Sequence, residues 1–129
     1  MSIVKRILLA EDDRFLRKAA DATLRHHGFT VITAADGEET LSLARREVPD
    51  LILLDLIMPK LHGFEVLKAL KRDPLTSQIP VIVLSNLGQD SDSRMALELG
   101  AVDYWVKANV GLEELAGRLE LLLKTDGVQ

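Results

Sequence analysis

Apolar runs of about five residues recur along the chain, alternating with segments whose apolar positions return every three or four residues. That alternation is the pattern of repeated β-α units around a parallel sheet. The runs predict strands at Arg6 to Ala10, Thr30 to Thr33, Leu51 to Leu54, Val81 to Leu84 and Asp103 to Val106. In the first, third and fourth the apolar character is continuous, which requires helical cover on both faces and places them centrally. The second and fifth read as edges. The fold class expected is α/β, a doubly wound five-stranded parallel sheet ordered 2-1-3-4-5.

Helical spacing fills the intervals. Arg14 to His27 puts Phe15, Ala19, Ala20, Thr23 and Leu24 on one face, and His27-Gly28 supplies a stop. Gly37 to Arg46 presents Leu41 and Ala44 and ends before Pro49. Phe64 to Arg72 presents Phe64, Leu67 and Leu70 and ends at Asp73-Pro74, and Asp90 to Leu99 closes on Gly100. Leu112 to Leu123 repeats Leu112, Leu115, Ala116, Leu119, Leu122 and Leu123 as a stripe for docking on the sheet. With 129 residues, 47% of them hydrophobic, the expectation is one domain over 1–129, with a core of about 5–123 and a frayed tail at 124–129.

Charge and cysteine content narrow the chemistry. A net charge of -4 gives no general basic field, although Arg14, Arg17, Lys18 and Arg25 form a local patch, so direct nucleic-acid or membrane binding is not expected. The absence of cysteine excludes disulfides, zinc thiolates and thiol nucleophiles. Met1 to Arg6 lacks the apolar stretch of a signal peptide, and a cytoplasmic location is expected.

Functional groups stand where the strands end. Asp55 follows Leu51-Ile52-Leu53-Leu54 and precedes Leu56-Ile57-Met58-Pro59 and Gly63; Glu11-Asp12-Asp13 follow the first strand, Ser85 the fourth and Lys107 the fifth. In an open parallel sheet these ends share one edge, and ligands bind where neighbouring connections leave for opposite faces, here between strands one and three. Glu11, Asp12 and Asp55 would converge there as a cluster of like charges that needs a cation. Mg²⁺ suits it, because that ion takes few carboxylates and commonly bridges to phosphoryl oxygens. Lys107 and Ser85 add a positive charge and a hydroxyl. An aspartate, a metal, a lysine and a hydroxyl suffice for Asp55 to attack an activated phosphate and form an acyl phosphate. Alone, Ser85 reads as a loop hydroxyl and Lys107 as a solvated strand end; their joint placement is what argues for function. Asp13, just before Arg14, reads as a helix N-cap rather than a metal ligand. His26, His27 and His62 lack metal-ligand spacing and are expected on the surface with no role.

Together, Ile7 to Asp13, Pro49 to Pro59 with Gly63, Ile79 to Ser85, and Gly100-Ala101 through Tyr104 to Lys107 resemble the receiver domains of two-component response regulators, including single-domain chemotaxis regulators. The resemblance covers nearly the whole chain and implies a flavodoxin-like three-layer sandwich. It implies that Asp55 accepts phosphate from a sensor histidine kinase or phosphotransfer protein. It implies that Glu11, Asp12, Asp55 and the Ile57 carbonyl serve Mg²⁺, with Glu11 acting through water. Ser85, Lys107 and Tyr104 would form the switch, reshaping a surface of the fourth helix, fifth strand and fifth helix that meets a downstream protein. On this reading the chain is a signalling domain rather than an enzyme, acting as a monomer or a phosphorylation-dependent dimer.

Three positions depart from the family pattern. Ala108 follows the lysine where most members have proline, Asn86 follows Ser85 where a small residue leaves access to the phosphate, and His62 precedes Gly63. Without proline a cis bond costs about 3 kcal/mol rather than roughly 1 or less, so Lys107-Ala108 is expected to be trans, with the following loop shifted. Ile57, Asn86 and Leu87 would border the approach of a hydrolytic water, and none supplies an acid or base. Competing readings fare worse. A haloacid-dehalogenase-type phosphatase needs a second aspartate where this chain has Ile57. A flavin- or dinucleotide-binding domain needs a phosphate loop where it has Glu11-Asp12-Asp13. A receiver-like module that no longer takes phosphate is opposed by the presence of Asp12, Asp55, Ser85 and Lys107.

Overall fold

The computed structural model describes residues 4–86 and 90–124. Five strands, β1 (Arg6–Ala10), β2 (Thr30–Ala34), β3 (Leu51–Leu54), β4 (Val81–Ser85) and β5 (Asp103–Val106), alternate with α1 (Arg14–His26), α2 (Gly37–Glu47), α3 (Gly63–Arg72), α4 (Asp90–Glu98) and α5 (Leu112–Lys124). The strands form one parallel sheet in the order β2-β1-β3-β4-β5, as expected. The expected tail beyond residue 124 lies outside the described residues.

Continuous apolarity in the central strands reflects two cores divided by a period of two. Leu8, Ala10, Ile52, Leu54, Val81 and Val83 pack with Ala44 of α2, Val66, Leu67 and Leu70 of α3, and Ala96 of α4. Ile7, Leu9, Leu51, Leu53 and Ile82 point the other way, toward Ala20 and Leu24 of α1 and Leu115, Ala116 and Leu119 of α5. Alternate residues of one strand therefore serve opposite layers.

Three expected core positions are corrected, Phe15, Ala19 and Leu122; Ala19 is exposed. Phe15 is 85% exposed and Leu122 43% exposed, because Ala20 and Leu24 already define the buried face of α1, and Leu115, Leu119 and Leu123 that of α5. His26 and His62 are exposed as expected, but His62 and His27 have structural roles that were not expected. The His62 ring accepts the Phe64 N–H at 3.1 Å and N-caps α3, while His27 is the C-cap of α1 and bonds to α5. Asp13 caps α1 as expected, accepting from the N–H groups of Phe15 and Leu16 at 2.9 and 3.1 Å. After β5 the chain makes a 3-10 turn over Lys107–Asn109 that the sequence did not announce. No cis peptide bond occurs among the described residues, so Lys107-Ala108 is trans.

Close approach fixes the loop after β3. An added Cβ at Gly63 would lie 2.4 Å from the Leu56 Cα and 2.8 Å from the Asp55 carbonyl oxygen, so only glycine lets α3 start there. The Gly63 N–H donates to the Leu56 carbonyl at 2.8 Å, tying the helix to the residue after Asp55. Gly37 performs the same service from α2, its Cα seated against Leu61.

Candidate functional site at the strand ends

Register brings the acids together. The Asp55 N–H donates to the Ala10 carbonyl at 3.1 Å, so the residue after β3 stands beside the loop that leaves β1. That loop is held in turn. The Asp13 N–H donates to Glu11 Oε2 at 3.0 Å, and the Arg17 guanidinium donates to the Glu11 and Asp12 carbonyls at 2.9 and 3.1 Å. Carboxylate oxygens of Glu11, Asp12 and Asp55 all fall within 4.8 Å of one another. Glu11 and Asp55 are buried and Asp12 is exposed.

Lys107 closes the cluster from β5. Its ammonium donates to Asp55 Oδ2 at 2.9 Å and to Glu11 Oε1. Burial alone would favour the neutral amine, but the hydrogen bonds to Glu11 and Asp55 outweigh it and hold the lysine pKa above its ordinary value. Burial pushes the Glu11 carboxyl up; hydrogen bonds from Lys107 and the Asp13 N–H oppose that rise, and the Asp55 charge adds to it. Two buried carboxylates thus share one ammonium, with a third carboxylate open to solvent beside them. The donor set is all oxygen, anionic and partly accessible, which fits a hard divalent cation and not a softer metal that prefers imidazole or thiolate.

The remaining candidates form a second group. Ser85, fully buried at the end of β4, is hydrogen-bonded through its side chain to Tyr104, which is half-buried on β5. Burial raises the Tyr104 phenol pKa, the charges of Asp92 and Asp55 raise it further, and the Ser85 hydrogen bond acts against them. Tyr104 packs with the layer beneath α4 rather than standing clear of the sheet. Ile57 is 52% exposed, its N–H donating to Asp55 Oδ1 at 3.3 Å, and Asn86 is exposed. Leu87 lies outside the described residues. Sequence reasoning placed Arg17 only in a local basic patch and missed its hold on the acidic loop, signalled by its place one turn into the helix that follows that loop.

Three comparisons bear on this geometry. The family profile described as response regulator receiver domain matches residues 7–120. A probable transcriptional regulator, ycf27, of Guillardia theta is 39% identical over 93% of this chain and 46% of its own length. The chain spans about half the length of the curated relatives it matches. Among solved structures, the receiver domain of Francisella response regulator 1452 superposes with a TM-score of 0.86 at 30% identity, covering 95% of this chain and 98% of that one. A CheX–CheY–BeF₃–Mg complex from Borrelia burgdorferi gives a TM-score of 0.83 at 27% identity, covering 92% and 89%. No described helix is long and apolar enough to cross a membrane. A parallel sheet ordered 2-1-3-4-5, an acidic cluster closed by a lysine at its strand ends, and a family match over residues 7–120 lead to one conclusion: the chain belongs to the receiver domains of two-component response regulators.

Proposed function

We propose that Asp55 is the phosphoacceptor, taking a phosphoryl group from a phosphohistidine of a sensor kinase or phosphotransfer protein. The observation that carries this reading is the buried Asp55 carboxylate, bonded to Lys107 and grouped with Glu11 and Asp12. A carboxylate oxygen of Asp55 attacks phosphorus, forming the P–O bond as the P–N bond breaks. The departing imidazole takes up a proton. Charge is the main obstacle, since a phosphoryl group enters a pocket already lined by three carboxylates.

Glu11, Asp12, Asp55 and the Ile57 carbonyl are the groups we assign to Mg²⁺, with Glu11 acting through water. When bound, Mg²⁺ supplies positive charge toward the phosphoryl oxygens. Lys107 then exchanges a carboxylate partner for a phosphoryl oxygen, and Ser85 donates its hydroxyl to another. If Ser85 turns to the phosphate, its bond to Tyr104 is remade, and the face formed by α4, β5 and α5 presents a changed surface to a downstream protein. Asn86 borders the access to the phosphate. The activity is confined to the domain's own phosphorylation and dephosphorylation, in the cytoplasm.

Acetyl phosphate provides the test. Labelling is expected in the presence of Mg²⁺, to be lost in chelator and in Asp55→Asn. Labelling of that variant at the wild-type level would overturn the assignment.

A further inference from the structure

His27, at the C-terminal end of α1, is bonded at both ring nitrogens. Nδ1 lies 2.6 Å from Glu120 Oε1 and Nε2 lies 2.8 Å from Glu113 Oε1. The two glutamates are seven residues apart on α5, hence on one face of the helix and about 10 Å apart along it. One imidazole therefore spans two turns of a neighbouring helix. A neutral imidazole has one N–H and one lone pair, so it can donate to only one carboxylate and must turn a lone pair against the other. Only the imidazolium satisfies both contacts.

We propose that His27 is a proton-operated clamp between α1 and α5, closed when the ring is doubly protonated and half-open when it is neutral. The arm that lets go is Glu113, on distance and exposure, although its hydrogen bond does the more to raise the His27 pKa. Its contact is the longer one, and its side chain is 76% exposed against 48% for Glu120. Loss of the proton leaves Nδ1–H on Glu120 and releases Glu113, which belongs to the first turn of α5. That turn lies just after Val110, whose N–H donates to the Lys107 carbonyl at 3.3 Å, so release acts beside the segment that carries Lys107.

Among the described residues, the charged neighbours on α1 and α5 have other partners. On α1, Arg25 is committed to Asp21 at 2.6 Å and to the Val31 carbonyl at 2.8 Å, and His26 stands edge-on with its ring centroid 6.0 Å away. On α5, Glu114 is paired with Arg118 at 2.6 Å. The hydrogen bonds to Glu113 and then Glu120 raise the His27 pKa above its ordinary value. A raised histidine pKa contributes stability that is fully present below the unfolded-state value and is lost as pH rises through the folded one. The clamp thus opens on the alkaline side of ordinary histidine titration.

NMR titration of the His27 ring in the full chain, with the urea-unfolded chain as reference, tests this directly. The folded midpoint is expected above the unfolded one, and to fall in Glu113→Gln, in Glu120→Gln and furthest in the double variant, which keeps the side-chain shapes. In the neutral form the ring nitrogen shifts should report Nδ1–H. Amide exchange in the first turn of α5, corrected for its intrinsic pH dependence, should quicken through the same midpoint in wild type and not in Glu113→Gln. A folded midpoint at or below the unfolded one, an unchanged midpoint in the double variant, or exchange indifferent to that midpoint would each overturn the clamp.

Discussion

Neighbouring aspartates after β1 do different work. Asp12 is exposed and offers an oxygen to the acidic cluster, whereas Asp13 spends its carboxylate on two helix N–H groups. Asp13→Ala should therefore cost about 1 kcal/mol in urea unfolding and leave Mg²⁺-dependent labelling by acetyl phosphate in place. Asp12→Asn should change stability by less than about 0.5 kcal/mol and sharply weaken that labelling. The reverse pattern would exchange their roles. Glu11 adds a pH dependence. Because its carboxyl is pushed up chiefly by burial, it contributes stability below the ordinary Glu value that is lost as pH rises through the folded value, where a buried charge appears. A divalent ion offsets that charge, so the rise in Tm produced by Mg²⁺ should be largest near neutrality and fade as pH falls through the raised Glu11 value. A Mg²⁺ shift independent of pH from 7 to 4 would contradict this. At Ile57, half-exposed beside Asp55, the side chain gives a water nothing to hold. Replacement by Asn should speed spontaneous loss of phosphate by about tenfold, below the roughly 10²-fold that a true general base begins to supply. Unchanged or slower decay would remove the steric argument and leave the phosphoacceptor assignment standing.

At the scale of elements, periodicity located each helix and strand to within a residue or so, because every one has a buried face against the sheet. It did not say which apolar residue of an amphipathic helix stays outside. Phe15 and Ala19 share a face with Ala20 and Leu24 on paper, yet a small rotation of α1 about its axis exposes Phe15 and buries the other pair. Helix ends were legible where a capping residue is local, as at Asp13, and not where it depends on the fold. Val48 closes α2 with φ +41, a left-handed conformation that a β-branched residue adopts at a cost of about 1–2 kcal/mol. Its N–H still donates to the Ala44 carbonyl at 3.0 Å, so the position is needed and the side chain is not. Val48→Asn, exposed and tolerant of that conformation, should raise stability by about 1 kcal/mol in urea unfolding. A loss instead would mean that the side chain has a packing role its exposure conceals.

Across the whole molecule, two apolar layers share a single sheet. Leu53 faces α1 and α5 while Leu54 faces α2, α3 and α4, yet they are consecutive residues of β3. Neither layer can lose its packing without disturbing the backbone that carries the other. Trp105, buried between the sheet and α5 with the Arg118 guanidinium 5.0 Å above its ring, reports one layer, and far-UV circular dichroism reports both. Their urea transitions should coincide, and Leu53→Ala and Leu54→Ala should each move both probes together, by about 2–5 kcal/mol. Separated transitions would show that the layers melt independently.

The sequence by itself determined the architecture and the members of the strand-end site. Short continuous apolar runs fit a covered parallel sheet, and in such a sheet every strand ends at the same edge, so Glu11, Asp12, Asp55, Ser85 and Lys107 all stand along it, and the fold gathers Glu11, Asp12, Asp55 and Lys107 into one cluster. What only the tertiary structure decided is how they divide. Lys107 comes from 52 residues beyond Asp55 and 96 beyond Glu11, and nothing local could announce that it bonds both acids or that Ser85 is hydrogen-bonded to Tyr104. The same holds for His27, whose partners lie 86 and 93 residues away. Short-range pattern encodes which face of an element is buried, because that depends on period alone; the choice of partner depends on distances across the sheet and between helices, which exist only once the chain has folded.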